Sequence, residues 1–170
     1  MIGLDQLSTR DRAAFVAAVG DVFEHAPWVA ERAYAARPFV TVAALHGAMM
    51  QALRSAPRNE QLAFLRGHPE LAGKVARAGA MTPDSRAEQG GLGLDRLSPA
   101  DFARFERANA AYAQKFGFPF IVCVRRHASA ESILATFEQR VGNDAETEFA
   151  AALTEIGHIT RLRLEAKIAS

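Results

Sequence analysis

The run from Lys115 to Val124 reads Lys-Phe-Gly-Phe-Pro-Phe-Ile-Val-Cys-Val, a long apolar stretch without helical spacing in a chain otherwise patterned for helices. Gly117 and Pro119 interrupt any helix, while Phe116, Phe118, Phe120, Ile121, Val122 and Val124 are too apolar for a solvated loop. The segment 117–124 is therefore expected to cross the interior as non-helical backbone. Its N–H and C=O groups then need partners, and a bound ligand is one such partner. An internal strand or a plain crossing of the core accounts for the local pattern alone. The case for a ligand rests on two further stretches, around His68 and Glu88.

The rest of the chain supplies the helices. Ser8 and Asp11 mark a start, and Phe15, Val16, Val19, Val22 and Phe23 recur at helical spacing, which predicts a first helix over 9–24. A short helix is expected from Trp28 to Ala36, stopped by Pro38. A third, capped by Thr41, carries the stripe Val42, Leu45, Met49 and Leu53. Pro57 opens a fourth helix that Gly67 ends, and a fifth follows with His68 as cap and Pro69 in its first turn, ending at Gly79. The Gly-rich stretch 81–94 contains Ser85 and Glu88 at capping-box spacing, hence a short helix and then a loop. Ser98 starts a helix that runs to Gly117, Ser129 caps the next, which Gly142 closes, and Asn143-Asp144 begins the last. No strand pair is expected. The fold class read from this pattern is all-α, a single domain over 1–170 with eight or nine helices and the buried segment 117–124.

Composition narrows the function. A chain of 170 residues with net charge +1 and Lys and Arg spread along its length has no basic stripe for phosphates, so nucleic acid is not an expected partner. Cys123 is the single cysteine, which excludes an internal disulfide and a Cys-rich metal site, and its apolar neighbours suggest an unreactive thiol. The five histidines lack zinc-motif spacing, so no metal is expected. No run reaches the ~18 apolar residues of a membrane span and no signal peptide is read at the N-terminus, so a cytoplasmic protein is expected, without membrane association.

Three residues carry candidate chemistry. His68 lies between a glycine that ends a helix and a proline, where free backbone donors hold an imidazole and favour a nearby anion, although a histidine can also merely fill a cap. Glu88 either closes a capping box or, with Ser85 and Gln89, forms a polar wall that Gly90 and Gly91 let a ligand approach. Arg163 falls on the apolar face of the last helix with Ile156, Ile159 and Thr160, at ~100° per residue, whereas Arg161 falls on the opposite side. An inward guanidinium needs a distant acid, for instance Glu88, or a substrate carboxylate.

Together these residues resemble a known family. His68-Pro-Glu-Leu-Ala72, Ser85-x-x-Glu88-Gln89 followed by Gly91-Leu92, and Asn109-x-x-Tyr112-x-x-Lys115 leading into the apolar run are similar to the 2-oxo-4-hydroxy-4-carboxy-5-ureidoimidazoline (OHCU) decarboxylases of urate breakdown. Pro27-Trp28, Arg37-Pro38-Phe39 and the stretch 156–164 extend the resemblance over nearly the whole chain. It implies an all-helical enzyme without cofactor or metal, commonly a homodimer, that converts OHCU to (S)-allantoin and carbon dioxide. It also implies catalytic roles for His68 and Glu88. Pro69, Ser85, Gln89, Phe118, the backbone of Phe120, Ile121, Val122, Cys123 and Val124, and Arg163 would bind substrate. Gly90 departs from the family pattern and should loosen its turn. The competing readings are an imidazolinone or ureide hydrolase using His68 and Glu88 to activate water, and a non-catalytic helical binding module in which His68, Glu88 and Arg163 pair with one another.

Overall fold

The computed structural model describes residues 1–72 and 81–169. The chain forms two compact units, Met1–Gly67 with Gly157–Ser170, and His68–Ile156. Nine α-helices and one two-stranded pair are present among the described residues, a mostly helical fold as the spacing predicts.

The first unit begins with β1 (Ile2–Gly3), α1 (Leu4–Thr9) and α2 (Arg12–Val19). The helix expected over 9–24 is thus shorter, α2 alone followed by a turn, with α1 preceding it, for reasons that lie in particular side chains. The Asp11 carboxylate accepts Ala14 N–H at 2.8 Å and restarts the helix. Arg37 donates from Nη1 to the carbonyls of Ser8 and Arg10 at 3.0 and 3.2 Å, taking carbonyls at the end of α1. At Gly20 a Cβ would lie 2.5 Å from the carbonyl oxygen of Val16, so the close turn that ends α2 requires glycine. Val22 and Phe23 remain fully buried beyond it, which is why their spacing imitates more helix.

α3 (Pro27–Ala33) continues as a 3-10 turn to Ala36 and packs on α2 and on α4 (Val42–Arg54), whose Thr41 cap accepts Ala44 N–H. α5 (Arg58–Arg66) ends at Gly67, as read from the sequence. β2 (Ile168–Ala169) pairs in parallel with β1, Ile2 opposite Ile168. This pair corrects the expectation of no strands; two residues per strand are too few for any alternation to register in a sequence.

In the second unit, α6 (Pro83–Gly91) packs on a 3-10 turn at Val124–Arg126, and α7 (Pro99–Phe116) packs on α8 (Ala130–Val141). The last helix, α9, spans Ala145–Lys167, with the Asp144 carboxylate accepting N–H from Glu146 and Thr147 at its start. Gly117 ends α7 at φ 74°, a left-handed conformation that favours glycine. From there Phe118 and Phe120 to Val124 run buried and without regular structure up to the turn at Val124, as expected.

An aromatic cluster seats this segment. Phe120 stacks on Phe137 with centroids 3.9 Å apart, and Tyr112 meets Phe118, Phe120 and Phe137 edge-on. Beneath it lies a buried ion pair. Arg140 Nη2 donates to Glu148 at 2.5 Å, and Arg140 Nη1 donates to the Ile121 carbonyl at 2.8 Å. Tyr112 and Asn143 also donate to the Glu148 carboxylate, which is fully buried. Burial first, and then that bond to Glu148, pushes the Tyr112 phenol far above its ordinary pKa and keeps it a donor.

Two outcomes follow. Arg140→Met should destabilise the protein by roughly 3–5 kcal/mol in urea unfolding, because it leaves the Glu148 carboxylate buried without its cation. His46, whose Nε2 lies 2.9 Å from Thr160 Oγ1, has its pKa lowered below 6.5, first by burial and then by the Arg161 charge. The unfolded chain therefore binds the proton more readily, and the His46 contribution is present above pH 6.5 and lost as pH falls below it. Thermal melts across that window should show a smaller loss at low pH for His46→Gln than for wild type.

Candidate active site

The site residues of the second unit are built on three pieces of chain: the turn 68–72, helix α6 and the segment 118–124. The turn differs from the expected fifth helix. Pro69 and Glu70 are irregular, Leu71 and Ala72 form a turn, and Ala72 sits at φ 50°. The remainder of the expected helix, 73–79, lies outside the described residues.

Helix formation is displaced here by side chains that take the backbone groups. Gln89 Oε1 accepts Ala72 N–H at 3.0 Å, and Gln89 Nε2 donates to the Glu70 carbonyl at 3.3 Å. Asn109 Nδ2, from α7, donates to the Leu71 carbonyl at 2.9 Å. Holding a non-glycine residue at positive φ costs on the order of 1 kcal/mol, which such bonds offset. His68, half-buried, and Pro69 open this turn.

Helix α6 starts earlier than the capping-box reading places it. Thr82 is the cap, its hydroxyl accepting Ser85 N–H at 3.3 Å, and Pro83 takes the first helical position. Ser85 is thus inside the first turn and Glu88 is not the box-closing residue. The Thr82-Pro83 pair carried that signal in the sequence. The shift has a chemical consequence: Ser85 and Gln89, four residues apart and each only 3% exposed, lie on one face, and Glu88 borders it half-buried. Glu88 also sits close enough to the apolar segment to influence Cys123. Burial, then the charges of Glu155 and Glu88, push the Cys123 thiol above its ordinary pKa.

In the segment itself, the protein supplies partners for part of the backbone. Arg140 takes the Ile121 carbonyl, and the Glu155 carboxylate accepts Cys123 N–H at 2.7 Å. Glu155 was invisible to periodicity, since its role depends on a segment 32 residues away. Phe118, Phe120, Ile121, Val122, Cys123 and Val124 are all buried beside these anchors.

Arg163 belongs to the first unit. It is 4% exposed while Arg161 is exposed and pairs with Glu165 at 2.8 Å, so the helix phasing read from sequence is correct. An acid that meets Arg163 is Glu24, at 3.4 Å and equally buried. Sequence reasoning placed Glu24 inside the first helix and gave it no role; its position depends on the turn after α2. Among the described residues, no group of three or more His, Cys, Asp or Glu is arranged to hold a metal ion.

The sequence model of the OHCU decarboxylases matches residues 8–165. The chain belongs to the OHCU decarboxylase family. It is 41% identical over 167 residues to the 2-oxo-4-hydroxy-4-carboxy-5-ureidoimidazoline decarboxylase of Haloferax volcanii, covering 98% of this chain and 96% of that protein. A uric acid degradation bifunctional protein of Bacillus subtilis is 36% identical over 164 residues, 96% of this chain but 32% of its own length. The crystal structure of an (S)-allantoin synthase superposes with a TM-score of 0.75 at 28% identity, covering 98% of this chain and 54% of that one.

The Cys123 thiol is buried and its pKa is raised, which disfavours the thiolate a nucleophile needs. Iodoacetamide should accordingly alkylate the native protein at least ~10²-fold more slowly than the urea-unfolded chain, as followed by mass spectrometry; equal rates would restore Cys123 as a reactive group.

Proposed function

We propose that this chain is a carboxy-lyase that decarboxylates OHCU to (S)-allantoin and carbon dioxide in urate degradation, without a cofactor, and that it works in the cytoplasm as a homodimer. The observation that carries the reading is the α6 face on which Ser85 and Gln89 are buried with half-buried Glu88 at its edge, and from which Gln89 reaches the turn opened by His68. Family membership over residues 8–165 supports it.

The chemistry suits these groups. The substrate's carboxylate is attached to a carbon next to a C=N bond. When that C–C bond breaks, carbon dioxide leaves and the electron pair passes into the π-system, so the substrate is its own electron sink. One proton must then be delivered to one face of the ring. A histidine imidazole can give and take a proton near neutral pH, so His68 would be that donor, and Glu88 would set its tautomer or polarise the 4-hydroxyl. Ser85 offers a hydroxyl to substrate heteroatoms, and Pro69 and the Phe118–Val124 wall exclude water, so that nearby dipoles act at low dielectric. Arg163 would bind a ureido or ring carbonyl oxygen. A strong grip on the carboxylate would stabilise the ground state against losing carbon dioxide.

Freshly generated OHCU mixed with the protein should show (S)-allantoin rising by circular dichroism; a product with added water and retained carboxylate would favour hydrolysis instead. His68→Asn should fold normally and lose at least ~10²-fold in turnover. Arg163→Lys keeps the charge and loses the planar fork, and should weaken substrate binding by roughly 1.5–3 kcal/mol, seen as a raised KM. Sedimentation velocity decides the homodimer.

A further inference from the structure

We infer that Asn109 and Gln89 are positioning residues that set the His68 imidazole by clamping the turn behind it, an inference that rests on the proposed catalytic role of His68. Three consecutive residues of that turn are held by side-chain amides from two different helices. Gln89 of α6 bridges the Glu70 carbonyl and the Ala72 N–H, and Asn109 of α7 holds the Leu71 carbonyl between them. The Gln89 side chain spends an atom at each end of its amide on the turn and keeps a second N–H and a second lone pair for other partners.

Asn109 adds a second, independent observation. Its side chain is 6% exposed, and its Oδ1 has no hydrogen-bond partner among the described residues. A buried amide oxygen left unpaired is unfavourable, and a leucine of similar shape would avoid it. What leucine cannot supply is the Nδ2 donor to the Leu71 carbonyl, and that bond is what the unpaired Oδ1 is set against. Ala72, fully buried at φ 50°, is the strained residue that the clamp holds. Through these bonds the orientation of α6 and α7 is transmitted to a proton donor that neither helix carries.

The test uses the full chain with Asn109→Leu and Gln89→Glu, each alone and combined with His68→Asn. Gln89→Glu keeps an acceptor for Ala72 N–H and sets a carboxylate oxygen in place of the donor to the Glu70 carbonyl, which breaks the clamp from the other helix should Asn109→Leu not fold. Single-turnover decarboxylation should fall at least ~10-fold in each variant, with KM changed by less than about threefold in Asn109→Leu, as expected for a misplaced proton donor. In the His68→Asn background the same changes should cost less than about twofold, because they act through His68. The imidazole carbon and proton resonances of His68 should shift in both variants while those of His158 stay in place. Turnover within about twofold of wild type, an equal loss with and without His68, or an unmoved His68 signal would each overturn the clamp. Should the wild type fail to decarboxylate OHCU, the proposed function falls, and the His68 resonances still decide whether the two amides hold the turn.

Discussion

The second unit depends on one buried ion pair. Arg140 and Glu148 lie on successive helices, α8 and α9, and the pair joins them where the chain between, 142–144, is short. Burying two charges is costly unless every remaining donor and acceptor is used. Here Tyr112 and Asn143 complete the carboxylate, and Arg140 spends a further donor on the Ile121 carbonyl while lying 4.6 Å from the centre of the Phe120 ring. The same guanidinium thus neutralises an acid, satisfies an irregular backbone and covers an aromatic ring. A hydrophobic pair of equal volume would pack the helices, but it would leave the Ile121 carbonyl without that donor.

The irregular segment is held by side chains where a sheet would use neighbouring strands. Arg140 serves Ile121 from one helix and Glu155 serves Cys123 from another. The turn 70–72 is treated in the same way by Gln89 and Asn109. In both places a helical protein presents non-helical backbone in its interior, and in both the partners are long or amide-bearing side chains on rigid helices. The hydrogen-bond ladder keeps residues of one helix at fixed mutual spacing, so these bonds hold the segment and the turn on rigid supports.

Much of this was legible in the sequence where local chemistry decides it. Thr41, Ser98 and Ser129 cap helices as their spacing predicts, Gly67 and Gly117 end them, and the inward phase of Arg163 follows from its apolar neighbours. The misreadings share a cause. Ser85 looks like a cap, but Thr82 followed by Pro83 competes for the same helix start and wins. Val22 and Phe23 keep a helical beat because they are buried, not because they are helical. Leu71 and Ala72 look helical until Gln89 and Asn109, 17 and 38 residues away, take their backbone groups. Glu24 and Glu155 had no local signature at all, since each matters only through a partner distant in the chain.

The helix start at Thr82 also decides where the Glu88 carboxylate lies on α6. A Glu at the third position of a helix closing a capping box is committed to the backbone N–H of its cap. With the helix starting three residues earlier, Thr82 takes over the capping, and Glu88 moves to the second turn, beside Ser85 and Gln89 and near enough to Cys123 to raise its pKa. Glu88 is half-buried there, next to the apolar segment in which the Glu155 carboxylate already accepts Cys123 N–H. The start of one helix, decided by which of two hydroxyls caps it, is what sets Glu88 beside the buried Ser85 and Gln89.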